Sequence, residues 1–144
     1  MLVLERENPE KTKPQNLPVG TPFKYMKGQI NATYIKTRDI TNDKEQVLCL
    51  NTGEIYFPQG YDSTVVHPYT GIHPIVKPLT DTLEVKKIDY DKIKPGECFI
   101  LHDTLYIKTD KDLIFNLDTK LLIEIKQEDR RKVIHMPFIA LKLI

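Results

Sequence analysis

Alanine is nearly missing from this chain: Ala32 and Ala140 are its only two in 144 residues, beside six glycines, two cysteines and no tryptophan. Against that shortage stand 16 isoleucines, 8 valines and 13 threonines. Branching at Cβ restricts a side chain in a helix but packs well on a pleated surface, so this balance disfavours a helical body and favours strands. Cys49 and Cys98 are too few for a disulfide framework and too isolated for a zinc site, which needs ligands in close pairs. Both read as reduced core thiols. The scarce glycines form no phosphate-cradling loop and no dinucleotide fingerprint, and there is no Gly-x-Ser-x-Gly elbow. An enzyme is therefore the least favoured class, and no cofactor is expected.

No apolar run approaches the length of a bilayer crossing, and Met1-Leu2-Val3-Leu4-Glu5-Arg6 lacks the core of a signal peptide. The expectation is a cytoplasmic protein with no membrane partner. Charge of one sign is also lacking: 21 Lys and Arg against 20 Asp and Glu leave +1, which disfavours a dedicated nucleic-acid binder. A length of 144 residues, 40% of them hydrophobic, allows one ordinary domain or two very small ones.

Ten prolines fall mostly in clusters (Pro9, Pro14, Pro18 and Pro22; Pro68, Pro74 and Pro78) and leave Phe23 to Phe57 and Gly96 to Met136 free of proline. Sheets can be laced together in those two stretches. Within them Tyr34-Ile35-Lys36-Thr37 recurs as Tyr106-Ile107-Lys108-Thr109, and its neighbours recur in the same order. Gly20 with Phe23 answers Gly96 with Phe99. Leu50-Asn51-Thr52 answers Leu117-Asp118-Thr119, and Val65-Val66-His67-Pro68 answers Val133-Ile134-His135 with Pro137. Leu2-Val3-Leu4-Glu5 likewise matches Leu83-Glu84-Val85-Lys86. The offset falls from 76 residues at the glycines to 67 at the Leu-x-Thr motifs, a drop that divides into two shortened hairpin tips. One replaces Met26 to Asn31 by the region of His102-Asp103, and the other replaces Arg38 to Gln46 by Asp110 to Asp112.

Each unit reads as about five strands. In the second they are Leu83 to Lys86, Cys98 to Leu101, Leu105 to Thr109, Leu113 to Leu117 and Leu121 to Ile125, with Val133 to His135 closing and Phe138 to Ile144 last. Leu113, Phe115 and Leu117 share one pleat face, as do Leu121, Ile123 and Ile125, while Glu124 and Lys126 face away, which marks a half-buried antiparallel sheet. The expected fold is all-β, a tandem duplication of two small antiparallel five-stranded barrel-like units, because curling so small a sheet removes its exposed edges. The units are placed at 1–68 and 82–144, with 69–81 as connector. A second Ile-His-Pro at Ile72-His73-Pro74 leaves open which histidine ends the first unit.

The string Gly-x-x-Phe, Tyr-Ile-Lys-Thr, Leu-x-Thr-Gly, Val-x-Pro resembles the small all-β modules of uncharacterised accessory proteins of tailed bacteriophages. That resemblance implies a β-module of phage origin in an infected bacterial host, and it carries no catalytic residue. Lys120 stands where the first unit has Gly53, a departure at a turn.

Tyr34 with Lys36, and Tyr106 with Lys108, form two related aromatic-cation pairs suited to stacking plus anion contact, although a packed rim tyrosine beside a solvated lysine is the plainer reading. Arg130 and Arg131, in the mixed-charge loop 127–132, are further candidates for anion contact. Four histidines lack ligand spacing, so no metal site is expected. The function these observations favour is a non-enzymatic phage accessory binding protein that engages a host protein or sequesters a small, nucleotide-like anion. The alternative is a structural virion protein of head or tail, paired through its edge strands or as a homo-oligomer.

Overall fold

The computed structural model describes residues 13–25, 32–57, 65–66, 69–76, 87–136 and 139–144. Among them the only helical elements are three short 3₁₀ turns, at Pro14–Asn16, Tyr90–Lys92 and Gln127–Asp129. The strands are β1 (Pro22–Tyr25), β2 (Tyr34–Asp39), β3 (Lys44–Cys49), β4 (Ile55–Tyr56), β5 (Val65–Val66), β6 (Ile72–Val76), β7 (Lys87–Ile88), β8 (Cys98–Leu101), β9 (Thr104–Lys108), β10 (Leu113–Asn116), β11 (Leu122–Glu124), β12 (Val133–His135) and β13 (Ile139–Leu143). The expected strands at the two openings, Leu2 to Glu5 and Leu83 to Lys86, and the longer tip Met26 to Asn31 lie outside the described residues.

Pairing runs β5-β1-β2-β3-β4 in the first half and β12-β8-β9-β10-β11 in the second, antiparallel throughout. The registers correspond. Phe23 faces Tyr34 as Phe99 faces Tyr106, Ile35 faces Leu48 as Ile107 faces Phe115, and Val47 faces Tyr56 as Ile114 faces Ile123. Bonds outside the strands correspond too: the amide of Gly20 donates to the Lys36 carbonyl at 2.7 Å, and that of Gly96 to Lys108 at 2.8 Å. Lys24 pairs with Val66 as Ile100 pairs with Ile134, so Val65-Val66 is the counterpart of Val133-Ile134. Ile72-His73-Pro74 instead joins β13 in a separate two-stranded sheet.

The expectation of closed barrels is corrected here. Among the described residues no pairing joins β4 to β5 or β11 to β12, and the two halves form one mixed eleven-stranded sheet. The joint is a parallel contact of Leu122 in β11 with Asp39 in β2, extended by the Asp110 amide donating to the Gly53 carbonyl at 2.8 Å. Of the edges that closure would have removed, β11 is covered by β2 of the first half and β12 by β7 of its own half. The main core is shared as well: Ile35, Leu48, Leu50 and Ile55 pack with Ile107, Phe115, Leu117 and Leu122, and the β6–β13 ribbon adds Ile72, Ile139, Leu141 and Leu143. Each fully buried aliphatic or aromatic side chain of this core contributes about 1.5–3 kcal/mol, and the half-buried Ile139, Leu141 and Leu143 less. Two smaller clusters sit at corresponding places, Leu17, Phe23 and Val47 in one half and Ile93, Phe99 and Ile114 in the other.

The turns explain the shortened tips. His102 (φ 49°) and Asp103 (φ 61°) form a two-residue hairpin turn between Leu101 and Thr104, both in the left-handed region that such turns require. Lys120 at φ 61° holds the same left-handed position as Gly53 at φ 77°, so the two turns share their backbone geometry. Only the first needs glycine for space: a Cβ at residue 53 would lie 2.5 Å from the Gly96 nitrogen and 2.6 Å from the Lys108 oxygen.

Candidate functional site

The two lysines of the recurring tetrapeptide occupy equivalent places and make equivalent bonds. Lys36 Nζ donates to the carbonyl of Pro14 at 2.9 Å, and Lys108 Nζ to the carbonyl of Tyr90 at 3.0 Å. Pro14 and Tyr90 each open a 3₁₀ turn, so each lysine ties a strand to the turn packed over it. The carbonyl of Leu17, at 3.4 Å, also accepts from Lys36.

Their surroundings differ. Lys36 is 0% exposed, and its charge is met by Glu45 Oε2 at 2.9 Å. Glu45 stands opposite Arg38 across the β2–β3 pair and also contacts Arg38 at 3.2 Å. The hydrogen bond from Lys36, helped by Arg38, holds the Glu45 carboxyl below its ordinary range. Lys36 is thus a structural cation, closed to ligands, and the first of the two expected aromatic-cation strips does not exist as an open surface. Tyr34 turns instead into an aromatic cluster, 5.9 Å from Phe23 and 4.7 Å from Tyr25 between ring centroids.

Lys108 lies half-buried at the edge of a shallow cavity of about 460 Å³. Its Nζ stands 4.2 Å from the centre of the Tyr90 ring, and the Arg130 guanidinium 5.2 Å from the same centre. Lys94 and Lys111 also line the cavity, as do the carboxylates Asp91, Asp110 and Asp112. Arg130 reaches Asp91 at 3.2 Å and Asp112 at 3.7 Å, but both carboxylates are largely exposed, and Arg130 Nε is buried without a partner. Burial, and then the neighbouring Arg130, push the Lys108 ammonium below its usual pKa against the pull of Asp91. Burial raises the Tyr90 phenol to about 12. Two cations held against one aromatic ring that is itself only 2% exposed, and incompletely neutralised by solvated carboxylates, make a place where an anion is attracted.

Of the remaining candidates, Tyr106 is buried and stacked on Phe99 at 5.6 Å, and Arg131 is exposed outside the cavity. The structure therefore brings Lys108 and Arg130 together and leaves Tyr34, Lys36, Tyr106 and Arg131 apart from them. Tyr90 is the residue that the sequence reading missed. Its signal was available, since the 76-residue offset of the glycines places Tyr90 on Pro14, the start of the other turn.

His102 Nε2 meets Asp129 Oδ1 at 3.0 Å, and His135 Nε2 meets Glu97 Oε2 at 3.0 Å. Among the described residues no group of three His, Cys, Asp or Glu side chains converges as metal ligands would. No helix among the described residues is long and apolar enough to cross a membrane. In comparisons with known proteins, no family model, curated protein or solved structure matches this chain.

Proposed function

We propose that this chain is a non-enzymatic binding protein that holds a small, nucleotide-like anion in the Lys108–Arg130 cavity. The observation carrying this reading is the convergence of Lys108 and Arg130 on the Tyr90 ring in a concavity of ligand size. Burial pushes the Cys98 thiol to about 11, so that group is not poised as a thiolate nucleophile. Corresponding registers in the two halves support an origin by tandem duplication of one five-stranded unit, and the motif resemblance supports phage accessory proteins as its source. Within the chain β13 pairs with β6, so a neighbouring chain could pair only with its other edge in the virion alternative.

Titration with adenosine monophosphate and with inorganic pyrophosphate, followed by NMR shifts at low salt, tests this. Both probes should perturb Lys108 and Tyr90, the nucleotide more strongly, and Lys108→Met with Arg130→Met should weaken binding at least about tenfold. Perturbations spread over the whole basic surface, or unchanged affinity in the double variant, would refute the site.

A further inference from the structure

The β6–β13 ribbon is laid over the main sheet and not laced into it. Among the described residues its two strands pair only with each other, from Ile139 with Val76 to Leu143 with Ile72. Alternation along β13 turns Ile139, Leu141 and Leu143 to one face, and all three pack against the shared core. They nevertheless stay half-buried, where Leu113, Phe115 and Leu117 of the same core are buried. A two-stranded ribbon is barely stable alone, so its seat depends on the contacts of this apolar face.

Between ribbon and core lies a cavity of about 240 Å³. Ile139, Leu141 and Leu143 line it from the ribbon, and Leu50, Cys98 and Gly96 from the main body, with Thr33 and Asn51 as its polar residues. Asn51 is exposed, which sets the polar wall on the solvent side. The Thr33 amide donates to Asn51 Oδ1 at 2.7 Å, orienting that side chain so that its NH2 group is the donor left over. Among the described residues no charged side chain lines this cavity, and it shares no residue with the Lys108–Arg130 cavity. Close-packed interiors leave few spaces larger than a water molecule. Since an apolar cavity of about 150 Å³ accepts benzene, one of about 240 Å³ has room for a chain of roughly eight to ten carbons.

We propose that this cavity is a second binding site, for the hydrocarbon chain of a medium-length amphiphile with an uncharged polar head, the chain lying between ribbon and core and the head meeting Asn51 and Thr33. Aliphatic walls attract by buried area and select for length alone. The head carries the remaining selectivity: a carboxylate or an ammonium finds no countercharge there, whereas a hydroxyl accepts from the Asn51 amide. Cys98 adds an apolar wall without charge, because burial keeps its thiol protonated.

Straight-chain primary alcohols from butanol to dodecanol, titrated into the full chain and followed by methyl NMR, measure the cavity. Affinity should rise about three- to fourfold per added methylene and level off at roughly eight to ten carbons, with shifts at the Leu50, Ile139, Leu141 and Leu143 methyls. Octanol should bind at least about tenfold more tightly than octanoate or octylammonium. Leu141→Phe, which fills the space with an apolar ring, should weaken octanol at least about tenfold, and the length series stands without any variant. No methyl shifts at millimolar hexanol, affinity that keeps climbing to dodecanol, octanoate binding as tightly as octanol, or unchanged octanol binding in a folded Leu141→Phe chain would each overturn the proposal.

Discussion

Lys36 and Lys108 stand at the same register position, donate to the same carbonyl of the same kind of turn, and end in opposite situations. The hairpin after Lys36 runs through residues 37–46 before Val47 faces it, which is long enough to bring Glu45 over the ammonium and close it off. The hairpin after Lys108 needs only residues 109–113 before Ile114, and of its two acids Asp110 accepts from the Ile55 amide while Asp112, 96% exposed, reaches Arg130. The lysine is held in both halves by the framework, and the length of one loop decides whether it is sealed as structure or left at the edge of a cavity.

The joint between the halves shows the same division, and it supplies the largest expected effect. A Cβ on Gly53 meets backbone atoms of Pro95, Gly96 and Lys108, none of which can swing aside as a side chain would. Gly53→Ala should cost about 3 kcal/mol or more by forcing the sheet joint apart, read as a fall in the urea midpoint. Gly71 has nothing within 4 Å of its would-be Cβ, so Gly71→Ala should stay within about 0.5 kcal/mol of the parent. Equal losses at both sites would mean that the close approach of the two halves is not a real constraint.

Next in size is the lysine pair itself. Lys36→Ala removes a fully buried stem, leaves two turn carbonyls short of a donor and strips Glu45 of its partner, so a loss of about 2–4 kcal/mol is expected. Lys108→Ala removes one hydrogen bond and a partly solvated ring contact, for about 1 kcal/mol. Chemical denaturation of the two variants gives the difference directly. A Lys108 loss as large as that of Lys36 would make Lys108 a sealed structural cation too, and the cavity would lose its claim to ligands.

Much of the framework was legible beforehand. Cys98–Leu101 and Val133–His135 are strands with the expected bounds, and Leu113–Asn116 differs by one residue, because a short apolar run bounded by turn residues is a local signal. Leu113, Ile114 and Phe115 are all buried, however, where a half-buried strand was expected. The tips of His102-Asp103 and Asp110 to Asp112 were legible from the offsets alone. What escaped was non-local. Nothing near Asp39 or Leu122 announces that they pair in parallel, and that one contact turns two expected barrels into a single sheet. Lys36 escaped because lysine ordinarily marks a surface. Its burial depends on carbonyls of a proline-rich turn about 20 residues away and on an acid across the hairpin.

The two halves should also answer to opposite ends of the pH scale. Glu45 titrates below its ordinary value of 4.5 when folded, so its contribution is present above that value and is lost as pH falls through the folded pKa. Tyr90 titrates at about 12 against 10.0 when unfolded, so its contribution is present below pH 10 and is lost as pH rises towards 12. That alkaline loss is at most about 2–3 kcal/mol, partly offset by Lys108, whose lowered pKa makes stability rise as pH climbs towards 10.5. Tyr90→Phe should flatten the alkaline limb of a stability–pH profile, and Glu45→Gln the acid one. Tyr90 Oη is buried without a partner, so the phenylalanine variant should lose little at pH 7.

The smallest effect is expected where the halves exchange glycine for lysine. Lys120 keeps a left-handed backbone at φ 61°, a conformation that costs a side-chain-bearing residue about 1 kcal/mol relative to glycine. Its Cβ and Cγ, however, reach to within 3.5–3.6 Å of where a Gly20 Cβ would stand, and its Nζ donates to the Leu117 carbonyl. Lys120→Gly relieves the backbone and loses that packing, so the two terms should cancel to within about 0.5 kcal/mol. Because Gly53 sits at the equivalent turn with no room for a Cβ, the reciprocal Gly53→Lys should fail badly, as Gly53→Ala does. A matched pair of denaturation curves decides the point. If Lys120→Gly is destabilised by more than about 1.5 kcal/mol, the lysine stem is an indispensable spacer between the halves and not a tolerated substitute for glycine.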